Sequence, residues 1–103
     1  MATKKTAAKQ VVVISKPVGS SWARVLQGTL VEYDRKSGHA VLTGARQALY
    51  YGKETGGEVG LAVNGPKSGS RIGPKLPGRC ETPFVVLVLE CTPEAAKAWE
   101  QVQ

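Results

Sequence analysis

Two groups of residues in this sequence have types and spacings suited to holding an anion. The first is Arg46, Tyr50 and Tyr51. An arginine fork grips a phosphate through parallel N–H donors, and a tyrosine ring can stack on a base. On a strand, Arg46 and Tyr50 share one face and Tyr51 takes the other. The second group is the loop Asn64–Lys75 (NGPKSGSRIGPK). There Lys67, Ser68, Ser70, Arg71 and Lys75 are side-chain donors, and the glycines let backbone amides converge on an anion. It is not a Walker A loop, because the Gly-Lys-Ser order is absent. Each group also has a plainer use. The tyrosines suit packing at a core edge, Arg46 suits an ion pair with Glu32 or Glu58, and the loop suits plain solvation.

Catalytic and metal chemistry is poorly provided for. There is one histidine, His39, and one aspartate, Asp34, and the two flank a short turn. No serine sits in a G-x-S-x-G elbow. Cys80 and Cys91 lie eleven apart with no second histidine to complete a three- or four-ligand zinc set. Glu32, Glu58 and Glu90 are the remaining candidates for a general acid or base, and nothing in their spacing pairs them. The expectation is a noncatalytic protein with no metal and no cofactor, and His39 reads as a surface residue at a strand start.

Charge points the same way. Fourteen Lys and Arg against eight acids give a net charge of +6, which attracts anionic partners over a distance. From Val59 to Cys80 there is no acid, yet Lys67, Arg71, Lys75 and Arg79 all fall there. Lys4, Lys5 and Lys9 make the start basic, suited either to nonspecific phosphate contacts or to solubility. The apolar runs Val11–Ile14 and Phe84–Leu89 are strand-sized, shorter than the about 20 residues a membrane helix needs. A cytoplasmic protein with reduced cysteines, making no membrane contact, is expected.

The 103 residues suit one α+β domain. Residues 1–9 read as a disordered basic tail and residues 10–103 as the domain. Gln10–Lys16 and Ala23–Tyr33 read as strands, and Gly28 inside the second marks a bulge or a close backbone approach. Asp34–Gly38 fits a hairpin loop leading to a third strand, His39–Thr43. Ala45–Tyr51 is too short for periodicity to divide strand from helix, and its terminal aromatics followed by glycine favour a strand. Thr55-Gly-Gly-Glu58 matches a capping box opening a short helix over about residues 56–63, with Asn64-Gly65 as its stop. Pro66–Pro83 reads as a long loop with one short strand at Ser70–Ile72. Phe84–Cys91 (FVVLVLEC) reads as a central strand buried on both faces. Thr92-Pro-Glu94 opens a helix running to about Val102, with Thr92 as cap and Pro93 at the first position. Trp99 and Trp22 read as core anchors, with an interface contact as the other reading of Trp22. The fold class is a small, mainly antiparallel sheet with a short middle helix and a C-terminal helix.

The runs LTGARQALYYG (42–52), GLAVNGPKSGSRI (60–72) and FVVLVLECTPEAA (84–96) resemble a family of small phage and prophage proteins of unknown function. In that family a hairpin leads into an LT-x-AR-R motif with aromatics. A helix, an SRI-like segment, a strand and a CT-x-x-A helix start follow. The resemblance covers about residues 24–98. Gln47 stands for the motif's second arginine here, and Tyr50 and Tyr51 stand for its tryptophans. It implies a viral accessory or cargo protein, in the host-cell cytoplasm or the virion, and brings no catalytic residues. Two functions are thus expected. One is recognition of a nucleotide or nucleic acid through Arg46, Tyr50, Tyr51 and the 64–75 loop, in an inhibitory or sequestering role. The other is an interaction module contacting a host protein or forming a homo-oligomer.

Overall fold

The computed structural model describes residues 9–51, 55–67 and 69–102. Its centre is three long antiparallel strands rich in β-branched residues: β1 (Lys9–Ser15), β2 (Arg24–Asp34) and β3 (His39–Tyr50). β2 and β3 form the expected hairpin, closed where Gly38 turns left-handed at φ 73 and its amide donates to the Asp34 carbonyl. β4 (Arg71–Ile72) and β5 (Arg79–Thr82) both pair with β3, and β6 (Val85–Glu90) pairs with β1. α1 (Gly57–Val63) lies between β3 and β4 in the chain, and α2 (Pro93–Glu100) is the last element. The class is α+β with a mainly antiparallel sheet, as the residue patterns predict.

The sheet is strongly curled, and the chain shows why. β5 lies outside β3 and β6 outside β1, so a flat sheet would separate them by four strand spacings, about 19 Å. Only Pro83 and Phe84 join them, and three residue steps reach about 10–11 Å at most. The strand therefore bends over from one edge to the other. Phe84 makes the bend at φ 59, a left-handed conformation unusual for a bulky side chain. Lys16 N–H donates to the Phe84 carbonyl, Val85 N–H to Gly38, and the Ser15 hydroxyl to Pro83, fixing the corner.

Curling makes two cores from one sheet. Val11, Val13, Leu26, Ala40, Leu42, Ala45 and Val85 fill the concave side. Val12, Ile14, Val25 and Ala48 face the other way, under Leu61 and Ala62 of α1 and Ala95 and Trp99 of α2. The helices are locked end to end. The Thr92 hydroxyl accepts from Ala95 N–H as the predicted cap and donates to the Val63 carbonyl. Trp99 is fully buried, and its Nε1–H donates to the Leu61 carbonyl at 3.1 Å.

Several local expectations change. Ala45–Tyr51 is no separate strand: β3 runs unbroken from His39 to Tyr50. Arg79–Thr82, expected in a loop, pairs with residues 40–43 as β5. β6 is an edge strand and not a central one, and it leaves Val86 and Leu87 exposed. Its apolar run reflects use of both strand faces near a corner, which reads the same in sequence as double burial. The Thr55–Glu58 capping box does not form. Gly56 is the N-cap with no side-chain bond, because Glu58 turns to accept from the Tyr51 hydroxyl at 2.7 Å. Lys9 begins β1 and pairs with Glu90 at 3.2 Å instead of ending a free tail. Lys4 and Lys5 lie outside the described residues. Trp22 is half exposed, with the Arg24 guanidinium 5.3 Å above its ring, so it anchors no core.

Candidate functional site

Residues three apart on a strand ordinarily face opposite ways. Thr43 and Arg46 share a face because β3 carries a bulge between them. Thr43 pairs with Thr29 and Arg46 with Gln27, so Gly44 and Ala45 together oppose Gly28 alone. Gly44 sits at φ 61, the left-handed first residue of a glycine bulge. Gly28 allows the approach: a β-carbon there would stand 3.0 Å from the Thr43 carbonyl oxygen.

The bulge assembles two cross-strand rows on the helix-bearing face. One is Gln10–Thr29–Thr43, and the other is Val12–Gln27–Arg46. Where α2 ends, these polar residues are left as the floor of a pocket of about 220 Å³. Arg46, Lys75, Gly44, Trp99 and Glu100 complete its lining. Lys75 reaches it because its segment is tied along the edge of β3. Gly73 N–H donates to Gln47 and Leu76 N–H to Ala45, both at 2.8 Å. The Lys75 side chain thereby crosses directly over Gly44.

The floor is a directed hydrogen-bond chain. Gln27 Nε2 donates to Gln10 Oε1, and Gln10 Nε2 donates to Thr29 Oγ1 at 2.7 Å. Thr29 thus accepts and keeps its own O–H to donate, a polarised end suited to an anion. Arg46 spends one N–H on the Val102 carbonyl at 3.0 Å, which also satisfies a carbonyl just past α2. Its other donors have no partner among the described residues. The expected ion pair of Arg46 with Glu32 or Glu58 is not formed: among the described residues the ion pairs are Lys9–Glu90 and His39–Glu81. Beside the floor, burial pushes the Cys91 thiol up to about 11, against a smaller lowering by a Gln27 hydrogen bond.

The other anticipated residues are dispersed. Tyr50 is exposed and pairs across strands with Arg71, also exposed, at the β3–β4 edge. Tyr51 follows β3 and is occupied by Glu58; burial first, then that carboxylate, raises its phenol to about 12. Lys67 is exposed, and its carbonyl accepts from Ser70 N–H in a tight turn. The Ser70 hydroxyl oxygen is buried without a partner among the described residues. Ser68 lies outside the described residues. Among the described residues of the loop, the amides of Gly65, Ser70 and Gly73 are bonded to Leu61, Lys67 and Gln47 and so do not converge on an anion. Of the residues expected to act together, the fold joins Arg46 with Lys75 and Tyr50 with Arg71. It adds Gln10, Gln27, Thr29, Thr43 and Glu100, which sequence reasoning missed. Their only early signal is the pairing of polar residues on strands that otherwise read apolar.

The Asp34–His39 pair is a hairpin feature. Asp34 accepts from Lys36 N–H, which, first among several hydrogen bonds, lowers its carboxyl, while His39 Nε2 lies 3.4 Å from Glu81. Among the described residues no cluster of three or more His, Cys, Asp or Glu could hold a metal, and no helix is long and apolar enough to cross a membrane. Both cysteines are free.

Residues 8–99 match the model of a family described as a domain of unknown function, DUF6948, and the chain belongs to that family. No curated protein and no solved structure matches the chain.

Proposed function

We propose that this is a noncatalytic accessory protein of phage type that binds a phosphate-bearing ligand in the pocket floored by Thr29 and Thr43. The observation that carries this reading is the convergence of Arg46 and Lys75 on one polar pocket, over a hydrogen-bond chain that ends in a donor. Two cations and two hydroxyls are the donors a phosphate group needs. A volume of about 220 Å³ suits a phosphate with part of a nucleotide better than a tract of nucleic acid. Sequestering a nucleotide signal would fit a protein with a binding pocket and no paired acid and base. Titration calorimetry of the full chain with nucleoside monophosphates and a short single-stranded oligonucleotide tests it. Binding that is lost in Lys75→Glu with the melting temperature retained supports the reading. Unchanged affinity in Lys75→Glu and Arg46→Gln overturns it.

One observation favours a second reading, a homo-oligomeric interaction module. The outer edge of β6 pairs with no strand among the described residues, and its Val86 and Leu87 are exposed. Such an edge carries no lysine or proline to discourage pairing with another chain. Sedimentation of the free protein at several concentrations tests it. A monomer throughout eliminates this reading.

A further inference from the structure

Of the charged side chains that line this pocket, Arg46 and Lys75 only donate and one only accepts. Glu100 lines the same pocket as Arg46 and Lys75, yet it lies in no ion pair with either. It stands on the last residue of α2, where the helix dipole adds negative potential. A phosphate held by Arg46, Lys75, Thr29 and Thr43 leaves the Glu100 carboxylate, with its two acceptor oxygens, in the same pocket lining for the rest of the ligand.

We infer that the ligand is a guanine nucleotide, its phosphate on Arg46 and Lys75 and its base edge on Glu100; this rests on the phosphate-binding reading above. The chemistry discriminates sharply. A carboxylate only accepts, so it needs neighbouring donors. Guanine presents N1–H and the N2 amino group side by side on its pairing edge. Adenine and cytosine set an acceptor nitrogen beside their amino group, and uracil flanks its one N–H with two carbonyls. Each of those bases would turn an acceptor against the Glu100 carboxylate, which repels it. The rim position agrees: Glu100 is exposed, so a base can lie at the mouth while the phosphate sits on the floor.

Calorimetric titration of the full chain with GMP, IMP and AMP tests this, in the natural protein and in Glu100→Gln. The expected order is GMP over IMP over AMP, with GMP ahead of AMP by about tenfold or more, as hydrogen bonds to a charged group allow. Glu100→Gln should abolish the order while leaving weak binding of all three. Equal affinity for GMP and AMP, or a preference that survives Glu100→Gln, overturns the guanine assignment and leaves the phosphate site standing. Failure of all three to bind overturns both. Oligonucleotides that differ only in one central guanine or adenine separate the sources. Tighter binding of GMP assigns a free nucleotide, and tighter binding of the guanine oligonucleotide assigns guanine within a strand.

Discussion

Gly60 lies so close to Thr55 that a β-carbon built on it would stand 1.7 Å from the Thr55 carbonyl oxygen. This contact reverses the sign of an ordinary expectation. Replacing a helix-interior glycine by alanine usually stabilises by about 1 kcal/mol. Here the overlap with fixed backbone dominates, and Gly60→Ala should destabilise by several kcal/mol, on the order of an overpacked core. Urea denaturation of the variant decides, and a raised midpoint would refute the close contact.

Gly44 is the hinge of the pocket. Its left-handed φ of 61 costs a residue with a β-carbon about 1–2 kcal/mol. That β-carbon would also stand 3.0 Å from Lys75 Cε. Gly44→Ala should therefore lose about that much stability and weaken phosphate binding together. Gly44→Asn tolerates the conformation better and should lose less stability, while still displacing Lys75. Equal stability of the natural protein and Gly44→Ala would mean the bulge is absent in solution.

Trp99 joins the two helices through its bond to the Leu61 carbonyl. Trp99→Phe keeps most of the buried ring and removes one of the two bonds to that carbonyl, which still accepts from Gly65 N–H, at a cost of about 0.5–1.5 kcal/mol. Trp99→Ala should cost more, about 3–5 kcal/mol. A chemical denaturation series that ranks Trp99→Phe with the natural protein would remove the hydrogen bond from the account.

Alkaline pH should unfold the protein earlier than an ordinary titration suggests. Tyr51 is raised from 10.0 to about 12, chiefly by burial and then by Glu58, and Cys91 from 9.0 to about 11, chiefly by burial. For both, the folded state favours the neutral form. Their contribution is complete below the unfolded values and is lost as pH rises through the folded ones. Stability should fall from about pH 9 for Cys91 and from about pH 10 for Tyr51. Tyr51→Phe should be less stable at pH 7 yet show a shallower decline above pH 10. Parallel pH curves for the two proteins would contradict the Tyr51 contribution.

Much of the fold is written locally. Runs of valine and isoleucine make β1, the Asp34–Gly38 turn makes the β2–β3 hairpin, and Thr92-Pro93 starts α2 because cap, fixed φ and dipole all act within one turn. The α+β class and the location of both helices follow from such short-range chemistry. Arg46 is legible as a candidate anion ligand from the tyrosines near it, and Lys75 from its glycine-rich loop without acids.

What the sequence left open are the relations between segments. Gly44 punctuates LTGAR like a break between strands; only pairing with Gln27 and Thr29 reveals it as a bulge that turns Thr43 and Arg46 to one face. The run at Phe84–Cys91 has the composition of a buried strand, and only the two-residue link to β5 makes it a curled edge. The Thr55 capping box lost to a competitor seven residues upstream of its own glutamate, the Tyr51 hydroxyl. The pocket itself belongs wholly to tertiary structure. Its residues come from three strands, a loop and a helix end, and no spacing along one chain records which polar side chains a curled sheet will gather.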